Sequence, residues 1–228
     1  MMMESLSSTE LLSLNTIAFE PGPHMLSPRY GSAAVVLDAR RVIVIGGKDG
    51  ARASLATTEV LDTGTMTFAP GPSMHVLRIG CAAVLLPREC RVLVVGGCDD
   101  TTFLSTTEIL DIDTMPFAPG PMVSLRRLWC AVVSLPGSIL VFGGFEGPAS
   151  ANTTEAVSLE TMIFAAGPTM LAECFGCAAL VLPRGHWPRR ALVIGGYNAA
   201  DVHQPSHGGD SHRDDLRLEK ASVSSCIL

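Results

Sequence analysis

The clearest pattern in the sequence is a succession of short apolar segments that end at glycine or proline. Apolar segments at 80–86 and 91–95 are followed by an alternating segment at 106–110 and a short one at 115–117. Segments of this length between turn residues are typical of β-strands. The first two are apolar on both faces, as expected for strands covered by neighbouring sheets. The pattern therefore predicts a unit of four antiparallel strands.

This unit recurs along the chain. Gly-Gly ends an apolar segment at 46–47, 96–97, 143–144 and 195–196, at spacings of 50, 47 and 52 residues. Thr-Thr-Glu stands at 57–59, 106–108 and 153–155, with Ser-Thr-Glu at 8–10. Eleven residues after the start of each triplet comes a phenylalanine, soon followed by Gly-Pro: Phe19, Phe68, Phe117 and Phe164. Four coincident landmarks at one period indicate a repeat protein.

A period of about 50 residues with four strands per unit predicts an all-β propeller of about four blades. The repeat boundaries fall near 8–47, 48–97, 98–144 and 145–200. The chain opens with the third and fourth strands of a blade, near 8–19, and finishes with the first and second, near 177–196. These N- and C-terminal half-blades can pair to close a ring; an open array or a fragment of a larger propeller is the alternative.

The repeat resembles that of the kelch family over residues 8–200. A kelch blade carries Gly-Gly, then Tyr-Asp, then a Trp seven residues after the Tyr, and an Arg before the next blade. The Tyr position holds Leu12, Leu61, Leu110 and Val157, the Asp survives as Asp62 and Asp111, and the Trp position holds Phe19, Phe68, Phe117 and Phe164. The Arg position holds Arg29, Arg78, Arg127 and, in the last unit, Cys174. The resemblance implies a kelch-like β-propeller.

Known kelch proteins include scaffolds, substrate receptors and a few enzymes. We therefore predict a non-catalytic module that binds a protein partner, with two alternatives: a sugar-modifying enzyme on a kelch scaffold, or a non-functional fragment. Copper-radical oxidase chemistry on this scaffold needs two tyrosines and two histidines, whereas the chain has only Tyr30 and Tyr197 and half of its six histidines lie after residue 201. An epimerase-like site would need acid and base groups converging at the channel.

The first candidate contacts are the arginines that precede the innermost strands: Arg29, Arg78 and Arg127. Around the mouth of a channel they could capture acidic groups of a partner. Alternatively, each hydrogen-bonds carbonyl groups or a glutamate of the neighbouring blade, with Glu59, Glu108 and Glu155 as the recurring candidates. A residue repeated in every unit favours this second, architectural interpretation.

The second candidate contacts are loops that differ from unit to unit. The connections between the second and third strands, at 48–56, 98–105, 145–152 and from 197 onward, share no sequence. Unlike loops on one face of a rigid scaffold are where specific binding usually resides. The charged candidates there are Lys48, Asp49, Asp99, Asp100 and Glu146.

Charge and cysteine content narrow the partner classes. The net charge of −6 lacks the basic excess of a nucleic-acid-binding protein, and prolines stop the longest apolar segments well short of a membrane span. No signal peptide is apparent, so the seven cysteines predict reduced thiols and a cytoplasmic location.

Metal and cofactor motifs have plainer explanations. Cys174-x-x-Cys177 lacks a second ligand pair, and Cys81, Cys130 and Cys177 share one repeat position, which indicates small packed residues. The histidines at 203, 207 and 212 lie in a polar segment. We therefore predict no cofactor and no metal, and we expect residues 1–7 and 201–228 to be disordered, apart from a turn of helix near 214–220.

Overall fold

The computed structural model describes residues 5–86, 89–145, 150–182 and 190–198. Within those ranges the protein is all β, with sixteen strands and no helix. The strands are β1 Glu10–Ser13, β2 Ala18–Pro21, β3 Ala33–Val36, β4 Arg41–Ile45, β5 Thr58–Asp62, β6 Thr67–Pro70, β7 Ala82–Leu86, β8 Arg91–Val95, β9 Thr107–Asp111, β10 Phe117–Pro119, β11 Ala131–Leu135, β12 Ser138–Phe142, β13 Thr154–Ser158, β14 Phe164–Ala166, β15 Ala178–Val181 and β16 Ala191–Ile194. The predicted all-β class is confirmed for this part of the chain.

The strands form three four-stranded antiparallel sheets and two hairpins. Sheet 1 is β3–β6, sheet 2 is β7–β10 and sheet 3 is β11–β14, each with its strands in chain order. The N-terminal hairpin is β1–β2 and the C-terminal hairpin is β15–β16. Each sheet has the four antiparallel strands predicted for a unit, and the predicted repeat boundaries near 47, 97 and 144 fall between the second and third strands of a sheet. The expected disorder and helix in 201–228 lie outside the described residues, as do residues 1–4.

The same register recurs in every sheet. Leu110 lies directly opposite Phe117, and the equivalent pairs are Leu12 with Phe19, Leu61 with Phe68 and Val157 with Phe164. Cross-strand pairs of this kind stabilise a sheet through side-chain contact on one face. The recurring phenylalanine therefore packs on the recurring aliphatic residue of the third strand.

Successive sheets pack face to face. The innermost strands contact one another in order, β3 with β7, β7 with β11 and β11 with β15. One apolar core lies between sheets 1 and 2, where Ile43 and Ile45 meet Val92, Leu110 and Phe117. A second core lies between sheets 2 and 3, and a third between sheet 3 and the C-terminal hairpin. Burial on both faces explains why the second strands are apolar throughout.

A line of backbone hydrogen bonds follows the innermost strands. The amide of Gly80 donates to the carbonyl of Gly31 at 2.8 Å, Trp129 donates to Gly80 at 2.8 Å, and Gly176 donates to Trp129 at 2.7 Å. Among the described residues, no bond links Gly176 back to Gly31. The innermost line is therefore open in a single chain.

The expected pairing of the terminal half-blades is not found. β1 bonds only to β2, and β16 only to β15, so each hairpin is a separate two-stranded sheet in the described part of the chain. The described ranges contain three complete sheets and two half-sheets, and these form no closed ring. Local sequence sets the strands of each half-blade, but whether the two ends meet depends on the accumulated angle between sheets.

Candidate functional site

The predicted arginines lie inside the structure. Arg78 has no exposed side-chain surface, and its Nε donates to the Glu108 carboxylate at 3.2 Å. Its two terminal nitrogens donate to the carbonyl groups of Gly96 and Thr106, at 2.8 and 2.9 Å, and to the Thr106 hydroxyl at 3.0 Å. The guanidinium group therefore uses its hydrogen-bond donors within its own chain.

The other two arginines make equivalent contacts. Arg127 bonds Glu155 at 2.9 Å, and Arg29 bonds Glu59 at 2.6 Å, with all four side chains at most 4% exposed. The structure thus shows the hydrogen bonds of the architectural interpretation, with one correction: each glutamate belongs to the sheet that the arginine leads into, not to the neighbouring one. In sheet 1 the network is looser, because the buried Nε of Arg29 has no partner.

Each glutamate also fixes the loop that carries its arginine. The Glu108 carboxylate accepts hydrogen bonds from the backbone of His75 and Val76, and the Glu155 carboxylate accepts them from the backbone and hydroxyl of Ser124. Burial opposes ionisation of Glu155, but the bonds from Ser124 and Arg127 outweigh it and hold the pKa of Glu155 below its ordinary value. The pKa of Glu59 is lowered in the same way, against its burial, by Ser27, Leu26 and Arg29.

The Gly-Gly pairs are required by the same network. The amide of Gly97 donates to the backbone carbonyl of Arg127 at 2.7 Å. Gly96 and Gly97 have φ of 64° and 97°, and a Cβ on Gly96 would collide with that carbonyl oxygen. Arg78 and Arg127 therefore bind the preceding sheet through the backbone and the following sheet through the side chain, and so join the two.

Two of the predicted loop residues join neighbouring sheets. Lys48, in the loop of sheet 1, pairs with Asp100 in the loop of sheet 2 at 2.9 Å. Asp100 also accepts bonds from the backbone and hydroxyl of Ser54. The hydrogen bond to Asp100 raises the pKa of Lys48. Burial raises the pKa of Asp100, but the hydrogen bonds from Lys48 and Ser54 outweigh burial and hold that pKa below its ordinary value. Asp100 is therefore not a free loop charge.

The remaining loop candidates are separate from this bridge. Asp99 accepts bonds from Thr101 and Thr102 of its own turn, and these lower the pKa of Asp99 to about 2. Asp49 caps its own turn through the amide of Ala53. Glu146 lies outside the described residues. Of the charged candidates that the structure describes, Lys48 and Asp100 are the two brought together.

Sequence reasoning missed an aromatic row on this face. Phe103 meets Phe145 edge to face with ring centres 5.6 Å apart, Phe145 meets Phe175 at 5.3 Å, and Phe175 meets Tyr197 at 5.6 Å. All four are half-buried. We call these four residues the aromatic row; it runs from the loop of sheet 2 to the C-terminal hairpin. No fixed repeat position predicts it, because its members occupy three different positions of the unit.

Trp129 is a second feature that the repeat pattern hides. It has φ of 58° at the position where the other units have Gly31, Gly80 and Gly176. A Cβ on Gly80 would lie 3.0 Å from the indole, and a Cβ on Gly31 would lie 2.7 Å from it. The indole therefore occupies the space beside the innermost line that the small residues leave. The signal for it in the sequence is the single break in the glycine pattern.

The cysteines lie where small residues are needed. Cys81 and Cys130 are buried, and burial raises the pKa of their thiols to about 11 and about 12. Burial, reinforced by a hydrogen bond with Cys174, raises the pKa of Cys177 to about 12. A Cβ on Gly97 would lie 3.2 Å from the Cβ of Cys81, so a side chain at position 97 would be crowded. Among the described residues, no group of three His, Cys, Asp or Glu side chains is arranged to hold a metal.

No protein-family model matches the sequence, and no curated protein matches it significantly.

A bilayer-spanning helix, which needs both length and apolar character, does not occur in the part of the chain that the structure describes.

Proposed function

We propose that the protein is a kelch-like β-propeller that acts as a non-catalytic protein-interaction module in the cytoplasm. Its partner binds the face that carries the loops between second and third strands. The observation that carries the proposal is the aromatic row beside the Lys48–Asp100 bridge: an apolar strip and a charged strip on one rigid face. Aromatic residues at the centre and polar residues at the rim are the usual composition of protein interfaces.

The repeat geometry supports the propeller part of the proposal. Three sheets of one topology stack through their innermost strands, and the Leu110–Phe117 pair occupies the Tyr and Trp positions of a kelch blade. The arginine at the kelch Arg position donates to the carbonyl group of the first glycine of the Gly-Gly pair in all three sheets.

Arginine engagement favours binding over catalysis. An epimerase-like enzyme on this scaffold would use the repeated arginines as its charged groups at the channel, but their guanidinium groups bind the glutamates and the Gly-Gly carbonyl groups. The groups left to meet a partner are the loops, and they have unlike sequences in each unit. The proposal includes no cofactor and no nucleic-acid partner.

Affinity capture with the full-length chain tests the proposal. The variant Phe103→Ala/Tyr197→Ala removes both ends of the aromatic row, and the matched control Asp113→Lys changes an exposed turn at the opposite end of sheet 2. We expect proteins captured by the wild type to be retained by the control and reduced at least tenfold by the double variant, with cooperative unfolding preserved. Equal capture by all three proteins would contradict a binding role for this face.

A further inference from the structure

The two terminal hairpins are complementary halves of one missing sheet. The N-terminal hairpin is equivalent to third and fourth strands, because the Thr9 hydroxyl donates to the carbonyl of Pro23 at 2.7 Å as Thr58 does to Pro72. The C-terminal hairpin is equivalent to first and second strands. Gly196 follows β16 with a φ of 99°, and the second glycine of each Gly-Gly pair after the other second strands has a similar positive φ. Among the residues that the structure describes, neither hairpin has the strand that would lie beside it in a complete sheet.

The N-terminal hairpin exposes side chains that are buried in the complete sheets. Leu14 is 75% exposed and Phe19 is 69% exposed, whereas the equivalent residues of sheet 2, Ile112 and Phe117, are 4% and 6% exposed. Ile112 and Phe117 are buried because they pack on sheet 1. Leu14 and Phe19 therefore lack an equivalent apolar sheet to pack on.

The C-terminal hairpin exposes apolar side chains of its first and second strands that are buried in the complete sheets. Leu182, Leu192 and Ile194 are 36%, 43% and 45% exposed, while the equivalent residues of sheet 2 are at most 1% exposed. Those equivalents, Leu86, Leu93 and Val95, are covered by sheet 3. The core between sheet 3 and this hairpin contains no residue from a third or fourth strand. No described strand thus occupies the position equivalent to β9–β10 beside β16.

We propose that two copies of the chain complete each other, the N-terminal hairpin of each copy pairing with the C-terminal hairpin of its partner. The register follows from the complete sheets, where Val95 lies opposite Thr107 and Leu93 opposite Ile109. Applied to the hairpins, it sets Leu192 of one copy opposite Leu11 of the other. Leu14 and Phe19 then cover the unfinished core beside sheet 3 of the partner.

The number of copies follows from the range of propeller sizes. Two copies supply six complete sheets and two composite ones, which makes eight, at the upper end of the usual range of about four to eight blades. Three copies would exceed that range, and the open line between Gly176 and Gly31 shows that one chain does not close on itself. This count rests on the propeller arrangement proposed above; the pairing of hairpins rests on the exposed edges alone.

Disulfide trapping in the full-length chain tests the pairing. Directly opposite residues of antiparallel strands have Cβ atoms about 4.5–5.5 Å apart, which is close enough for oxidation to link two cysteines after a small shift. Leu11→Cys and Leu192→Cys are purified separately, mixed, refolded together and oxidised. We expect a covalent two-chain species in the mixture that neither variant forms alone. Glu20→Cys, one strand further from the edge, should not link to Leu192→Cys.

The double variant Leu11→Cys/Leu192→Cys separates exchange from closure within one chain. A disulfide-linked dimer is expected; a linked monomer, or no link together with the mass of one chain, would overturn the proposal. Light scattering should give twice the 24.0 kDa of one chain. Leu14→Asp should reduce the mass measured by light scattering to that of one chain. Met122 is 64% exposed and lies in the connection between sheets 2 and 3, so Met122→Asp should leave the mass at two chains. These readouts do not involve the loop face, so they stand independently of partner capture.

Discussion

The arginine network and the loop face are close in space but differ in what they do. In the network the same residue types make the same contacts in three sheets, and every charge is buried and paired. On the loop face, Lys48 meets Asp100 at one place, while aromatic rings meet one another elsewhere. Repetition therefore marks contacts that every sheet shares, whereas variation marks contacts found at one place only, of which the Lys48–Asp100 bridge between sheets 1 and 2 is one. Four changes would break or sharpen this contrast.

The largest effect is expected for Arg127→Ala. It leaves the buried Glu155 without its ion pair, and truncating one partner of a buried pair costs about 3–5 kcal/mol. Urea unfolding should show this loss in the free energy of unfolding. The control Arg40→Ala removes an exposed partner of Asp62 and should cost less than about 1 kcal/mol. Similar losses for both would mean that the network is not what joins the sheets.

A smaller loss is expected for Gly96→Ala. This residue has a φ of 64°, and a Cβ would collide with the Arg127 carbonyl oxygen, so strain and collision add. Gly137→Ala is the matched control, because Gly137 has a φ of 82° but no atom within 4 Å of the position of a Cβ. The control should cost about 1–2 kcal/mol from backbone strain alone. In thermal unfolding, the midpoint temperature of Gly96→Ala should be clearly lower than that of Gly137→Ala.

The pH dependence of stability should follow the glutamates of the network. The folded-state pKa values of Glu59 and Glu155 lie below the ordinary 4.5, so their contribution is present above that pH and is lost as the pH falls through the folded values. Unfolding measured from pH 6 downward should show stability declining below about 4.5. Glu155→Gln should flatten the decline, whereas Glu160→Gln, at an exposed turn, should leave it unchanged.

The smallest effects are expected on the loop face. Asp100→Lys breaks the bridge to Lys48 and should cost about 1 kcal/mol, whereas Asp99→Lys, whose bonds lie within its own turn, should cost about 0.5 kcal/mol or less. Both should weaken partner capture while unfolding stays cooperative. A loss as large as that of Arg127→Ala would place these loops in the architecture rather than in the binding face.

Much of the local structure could be predicted from the sequence. The segments at 80–86 and 91–95 became β7 and β8 within two residues, because alternation, β-branched residues and turn residues are local signals. The recurring arginine and glutamate could be matched by their period. That each pair lies within the sheet the arginine leads into could not be predicted, since this depends on how the connecting loop turns.

The positions of the loops on this face could be predicted from the sequence, but the contacts between their side chains could not. Equivalent loops could be found by counting from each Gly-Gly, so Lys48 and Asp100 were candidates before their bridge was seen. The aromatic row joins residues from three positions of the unit and from sheets that only tertiary packing brings together. Nothing in the linear spacing of Phe103 and Phe145 indicates that their rings meet.

The sequence by itself determined the repeat, the strands and the residues that each sheet reuses, because these follow from local periodicity and from turns that require glycine. Only the tertiary structure decided which charges are buried and whether the half-sheets of one chain meet. Those outcomes depend on angles between sheets that accumulate along the chain. No backbone hydrogen bond of the described residues links Gly31 to Gly176, and no single segment of sequence records the sum of those angles.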